Sequence, residues 1–270
     1  MLGNSLFRYF SAISNDVYGT VRDLNYVNFF PNNLHNKIRL LDYPGPFQKV
    51  ISEIRPDVVI NCIGIIKQHS SSASIENQIA INSLFPHQLD GFCQNIDVKL
   101  IQISTDCVFS GSRGMYSEMD IADAIDVYGK TKWLGELNSS NAITLRTSII
   151  GHELRGGHSL INWFLSQNNV VKGYKNAIFS GLPTIELARA IINYVIPNPN
   201  LQGLYHISSS PIDKFRLLQL VAKEYNKKIE IIEDGTLQID RSLDSSKFRE
   251  ATGYVPKSWP ELIHSMHIFG

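Results

Sequence analysis

The chain predicts an α/β fold, a doubly wound parallel sheet with helices on both faces and a smaller, interleaved C-terminal part. Three observations predict it. Through the first 150 residues, short β-branched and apolar runs alternate with segments of helical periodicity at the spacing of βαβ units. From about His152 the alternation becomes irregular, with Gly156-Gly157 marking a loop. Asn61, Gly64 and Thr105 fall at the carboxyl ends of the apolar runs, where parallel sheets collect their ligands.

Residues 1–10 read as an amphipathic helix with Leu2, Leu6, Phe7 and Phe10 on one side, and residues 16–22 as a strand closed by Arg22. A dinucleotide-binding unit places a strand and a Gly-rich turn ahead of its first helix. Neither is present here, so two readings stand at this point: a fold that begins with a helix, or a missing first strand and phosphate turn. The second is preferred. Residues 37–41 form a short strand ending at Asp42, and Pro44-Gly-Pro46 starts a helix with Phe47, Val50, Ile51 and Ile54 inward. Residues 57–62 are a buried strand, 75–95 a helix containing Asn82, and 98–103 a strand running into Ser104, Thr105 and Asp106. After a polar, Gly-containing loop, Tyr128-Gly-Lys-Thr-Lys132 opens another helix, and 142–146 is a further strand. Later segments read as a Trp- and Phe-containing helix after Gly157, an amphipathic helix at 213–225 and a strand at 229–232. The domain reading is 1–150 with 182–207 returning to it, and 151–181 with 208–270 as the second part.

Composition narrows the function. With 25 basic and 25 acidic residues, the chain has no net charge, no basic footprint for nucleic acid and no polybasic membrane patch. No apolar run approaches the roughly 20 residues of a membrane helix, and no signal peptide opens the chain. Cys62, Cys93 and Cys107 sit in or beside apolar runs, as reduced thiols of a cytoplasmic protein do. The histidines show no ligand-like clustering, and no metal ligands are assigned.

The chemistry is carried by residues 100–136. A Tyr and a Lys four apart share one helix face. Beside a hydroxyl at a strand's carboxyl end, they can move a proton to or from a carbinol oxygen. An unperturbed Tyr has a pKa of about 10, and a nearby ammonium lowers it. The spacing alone also suits a solvated helix surface. STDCVFSG followed by VYGKTKWLGE is more specific. The pair resembles the extended short-chain dehydrogenase/reductases, and among them the dTDP-4-dehydrorhamnose reductase type, which adds a Rossmann-type fold to the expectation. LRTSIIGH, GLPTIELARA, GLYHIS and DRSLDSSK extend the resemblance over most of the chain, which implies a helix after Pro183 and a strand at 203–208.

The resemblance implies reduction of a 4-keto group on a nucleotide-diphospho-6-deoxyhexulose with hydride from NADPH, NADH being the alternative. Thr105, Tyr128 and Lys132 are then catalytic, with Lys132 lowering the Tyr128 pKa and holding the nicotinamide ribose. Gly3, Arg22, Asp42, Asn61 and Gly64 join Tyr128 and Lys132 on the cofactor side. Arg22 stands where a guanidinium reads a 2′-phosphate, although a solvated strand-end Arg fits as well. Asp106, Arg146 and Arg241 fall to the substrate; Arg241 and Asp244 also suit a solvated pair at a helix start. The family's NxAA-type segment reads Asn61-Cys-Ile-Gly-Ile-Ile-Lys-Gln68 here, a departure. Related dehydratases carry Glu after Thr-Asp, where this chain has Cys107, so dehydration is disfavoured. Expected partners are the nucleotide sugar and a second copy in a homodimer, with no nucleic acid or membrane. A non-catalytic regulatory relative, the β subunit of methionine adenosyltransferase, sets the alternative of a binding protein, and another nucleotide-sugar epimerase or reductase is the other alternative.

Overall fold

A computed structural model describes residues 1–66 and 73–270. Helix α1 (Leu2–Ser11) buries the expected stripe of Leu2, Leu6, Phe7 and Phe10. It leads to β1 (Gly19–Val21), which pairs in parallel with β2 (Ile38–Leu40). β1 is shorter than the predicted strand because its partner among the described residues, β2, contributes three residues, so residues 16–18 lie outside the ladder. Between the two strands run 3₁₀ turns, Leu24–Phe29 and Asn32–Lys37. Helix α2 (Phe47–Ile54) follows as predicted.

The principal sheet contains β3 (Val58–Asn61), β4 (Lys99–Thr105), β5 (Ala142–Thr147) and β10 (Gly203–His206) in the order β10-β5-β4-β3, all parallel. β1 and β2 pair only with one another among the described residues. The sheet is covered on both faces. Leu100 and Ala142 pack with Phe47, Ile51, Phe85 and Leu89 on one side, while Ile101, Ile143 and Leu145 join the core containing α1 on the other. Adjacent residues of β4 thus serve opposite cores, as the strand's period of two requires.

Residues 75–95 form one helical run with a defect. α3 (Ile75–Ile79) passes through a π-helical turn (Ala80–Leu84) into α4 (Phe85–Asn95). Such turns insert a residue and re-aim side chains, often near functional sites. Helix α5 (Val127–Leu134) carries the Tyr and Lys.

The rest of the chain builds small sheets of two- to four-residue strands. β6 (Ile149–Ile150) precedes α6 (Leu160–Ser166), β7 (Val171–Tyr174) and β8 (Ala177–Phe179). β9 (Leu182–Pro183) pairs with β6, then α7 (Thr184–Ala190) docks on α1, where Ser5 Oγ donates to Thr184 Oγ1 at 2.7 Å. β10 is followed by β11 (Ile212–Asp213), α8 (Lys214–Glu224), β12 (Ile231–Asp234), β13 (Ile239–Asp240), α9 (Ser246–Thr252) and α10 (Trp259–Phe269). β7 pairs with β12, while β8 lies between β11 and β13. No helix among the described residues is long and apolar enough to cross a membrane.

Candidate active site

β4 delivers Thr105 at its last position, where the side chain becomes the cap of the turn Asp106–Val108. Thr105 Oγ1 accepts from Cys107 N at 3.1 Å and donates to Asp106 Oδ1 at 3.1 Å. The Tyr128 side chain faces this hydroxyl, and Thr105 opposes the rise of the phenol's pKa. The approach depends on Gly129: a Cβ there would lie 2.2 Å from the Cys107 carbonyl oxygen, so only glycine lets α5 sit this close. Asp126 caps the helix by accepting from Gly129 N at 2.8 Å.

The electrostatics differ from the expectation. Tyr128 is held above its ordinary pKa, first by burial and then by Cys107, Asp106 and Asp126, with Thr105 opposing. Lys132 is not among those influences. Its Nζ turns to β4 and donates to Ile103 O at 2.7 Å, and burial brings its own pKa down to about 8 against the attraction of Glu136 and Cys62. The expected lowering of Tyr128 by Lys132 is therefore corrected: the ammonium is engaged elsewhere and is a weakened cation. A phenol in this state is protonated at neutral pH, which suits a donor.

Gly64 lies beside this lysine, a Cβ built there falling 4.0 Å from Nζ and 3.3 Å from Asn82 Oδ1. Asn82, on the π-turn, ties the segment after β3 to α5: Oδ1 accepts from Ile65 N at 2.8 Å, and Nδ2 donates to Ile65 O at 3.1 Å and Thr131 Oγ1 at 3.2 Å. Lys67 and Gln68 lie outside the described residues. Gly3 is exposed in the first turn of α1, and its face is 3.5 Å from Cys62 Cβ. Gly3, Gly64, Lys132, Thr105 and Tyr128 thus gather around the carboxyl ends of β3 and β4.

Two predicted residues turn inward. Asn61 is buried, with Nδ2 donating to Gln102 Oε1 at 2.8 Å and Oδ1 accepting from Ile63 N at 3.0 Å. Arg146, expected at the substrate, is only 3% exposed and forms a paired contact with Glu136, Nε to Oε1 and Nη2 to Oε2, both 2.7 Å. Ser104 Oγ donates to the same carboxylate at 2.7 Å. His206 completes the network. Burial and Arg146 lower its pKa to about 4, so it is neutral, with Nδ1 donating to Tyr116 O and Nε2 facing Arg146 Nη1. Sequence reasoning missed both Glu136 and His206 as members of this network, although each lies within a matched motif, VYGKTKWLGE and GLYHIS.

Asp106 and Arg241 do come together. Asp106 is buried and pushed up by that burial, while Arg241 and hydrogen bonds from Thr105, Cys107 and Ser148 oppose the rise. Arg241 Nε donates to Phe109 O at 2.7 Å, fixing the guanidinium over this edge of the site. Asp42 presents an exposed side chain after β2. Arg22 is exposed just after β1, with its guanidinium 6.0 Å from the Tyr26 ring centre.

These residues fit a dinucleotide at both ends. Lys132 and the side-chain-free face of Gly64 suit a ribose and nicotinamide, and Arg22 suits a phosphorylated ribose. The first turn of α1 has no side-chain cap, so its leading N–H groups are available to an anion.

Comparison with known proteins identifies the family and the fold. The family described as RmlD substrate binding domain matches residues 1–267. The spore coat polysaccharide biosynthesis protein SpsK of Bacillus subtilis is 26% identical over 77% of this chain and 78% of its own length. The dTDP-4-dehydrorhamnose reductase of Aggregatibacter actinomycetemcomitans is 23% identical over 82% of this chain and 83% of its own. The solved dTDP-4-dehydrorhamnose reductase of Bacillus anthracis, in complex with NADP, shares the fold with a TM-score of 0.73 at 22% identity, covering 90% of this chain and 94% of the other.

Proposed function

The chain belongs to the RmlD substrate binding domain family, and from that premise we propose that it reduces the 4-keto group of a nucleotide-diphospho-6-deoxyhexulose with NADPH. The observation that carries the reading is Tyr128 facing Thr105 at the carboxyl end of β4, with Lys132 on the same helix. NADPH, when bound, supplies the hydride. Tyr128 gives its proton to the carbonyl oxygen as charge develops there, and its raised pKa keeps that proton in place beforehand. Thr105 positions the phenol and shares its hydrogen bonding with the same oxygen. Lys132, anchored on Ile103 O, presents its remaining N–H donors to the ribose hydroxyls. Asp106 and Arg241 form the polar wall toward the sugar. Cys107 offers no strong acid or base where a dehydratase carries Glu, which favours simple reduction. The intact Thr105–Tyr128 pair favours an enzyme over a purely regulatory binding protein.

The test is oxidation of NADPH against a panel of dTDP- and UDP-linked 4-keto-6-deoxyhexoses. Turnover of at least one, with the 4-hydroxyl product identified by NMR, is expected. Intact NADPH binding without reduction of any member would reject the reading. A second expectation follows from Lys132. Because burial brings its pKa to about 8, the free protein loses this cation as pH rises through that value. NADPH affinity is therefore expected to be flat below about pH 7.5 and to fall above pH 8, a trend that Lys132→Met abolishes. Titrations across pH 6.5–9.5 check it, and an unchanged slope in the variant would remove Lys132 from the binding site.

A further inference from the structure

We propose that Arg155 is a second determinant of the preference for a 2′-phosphorylated cofactor, acting with Arg22 and Tyr26 as a two-guanidinium clamp. This rests on the reading of the site as dinucleotide-dependent. The motif comparison draws attention to Arg22 alone, and Arg155 lies far away in sequence, in the loop between β6 and α6. The fold brings the two together on one aromatic pair. Tyr26 and Phe29, in the turn after β1, have ring centres 6.0 Å apart. The Arg22 guanidinium lies 6.0 Å from the Tyr26 ring, and that of Arg155 lies 5.8 Å from the Phe29 ring. Both guanidiniums stand near enough to the Tyr26 hydroxyl to lower its pKa.

Arg155 is placed there by its own loop. The preceding residue, Leu154, packs into the cluster of Phe7, Phe30 and Ile38 beneath β1 and β2. Glu153 N donates to Asn162 Oδ1 at 3.2 Å, and Glu153 Oε2 accepts from His158 N at 3.0 Å, closing the loop on itself. The nearby carboxylates are otherwise occupied: Asp23 caps its turn by accepting from Asn25 N at 2.8 Å, and Glu153 serves its loop. Lys37 and Arg39 lean on Tyr18, at the other end of β1.

Two like charges sharing one phenol repel, and no ion pair to a carboxylate is seen for either arginine among the described residues. A dianion between them turns that repulsion into attraction. Two guanidiniums and a phenol offer the planar forks and hydroxyl donor that a phosphate monoester accepts. Position selects which phosphate: Arg22 closes the strand that the family resemblance matches to the one meeting the adenosine ribose.

The experiment compares 2′,5′-ADP with 5′-AMP, and NADPH with NADH, by calorimetric or fluorescence titration of the full chain. Arg155→Ala is expected to weaken 2′,5′-ADP and NADPH at least tenfold while leaving 5′-AMP and NADH within twofold, with Arg155→Lys recovering part of the loss. The wild-type preference should shrink with added salt, and less steeply in Arg155→Ala. Arg155 is exposed, so a melt matching wild type should accompany these changes. Loss confined to Arg22→Ala would overturn the role of Arg155 and leave the reductase reading standing. Equal losses for 2′,5′-ADP and 5′-AMP in Arg155→Ala would mean that Arg155 only shapes its loop, and would also overturn it. A wild-type chain indifferent to the 2′-phosphate would overturn both this clamp and the assignment of NADPH.

Discussion

Tyr128→Phe is expected to lower turnover by about 10²–10⁴-fold, the span of a lost general acid, while NADPH affinity and thermal stability stay near wild type. The ring keeps its packing, and the Thr105 hydroxyl that the phenol faces still has Asp106 and Cys107 as partners. The half-buried phenol also fixes the pH behaviour. With its pKa raised, Tyr128 stays protonated through neutral and mildly alkaline pH. The alkaline limb of turnover should then come from Lys132, which titrates at about 8, and not from the tyrosine. Thr105→Val should reduce turnover less than Tyr128→Phe, because it loosens the donor without deleting it. Stopped-flow NADPH oxidation at saturating substrate separates these outcomes. Near-normal turnover in Tyr128→Phe would reject the assignment of the donor.

Much of this site was legible in the sequence because its parts are local. A strand ending in Ser-Thr-Asp and a helix opening with Tyr-Gly-Lys-Thr-Lys are short-range patterns, and both stand where they were expected. The amphipathic stripe of α1 and the parallel pairing of β3, β4 and β5 followed from periodicity in the same way. What escaped depends on contacts between distant segments. Whether Asn61 points outward or to Gln102 is decided by a neighbouring strand. The phenol's pKa depends on how deeply α5 is seated, which the Gly129 contact with Cys107 allows. The small sheets of the second half have strands of two to four residues, too short to carry a period of their own. Arg155 is a loop residue beside two glycines, and only Leu154 in the core reveals where it goes.

Arg146→Met is expected to destabilise the fold by about 3–5 kcal/mol, the cost of leaving a buried charge without its partner. For a chain of this size that corresponds to a drop of roughly 6–20 °C in melting temperature. The reason is the number of groups that depend on one guanidinium. Glu136 loses both of its 2.7 Å contacts and keeps only Ser104, and neutral His206 loses the donor facing Nε2. The network lies between β4, β5 and β10 behind the catalytic edge, since Ser104 pairs in register with Arg146 and His206 does so from the other side. Glu136→Gln should cost less, because an amide keeps one acceptor for the arginine. The double change Arg146→Met with Glu136→Leu should recover most of the loss, since an apolar pair of similar volume leaves no charge stranded. A substrate-binding role for Arg146 makes the opposite forecast: KM rises sharply, the melt is unchanged, and the double variant is no better than the single. Thermal melts of the three variants with steady-state KM values decide between them. An unshifted melt in Arg146→Met would return this residue to the substrate.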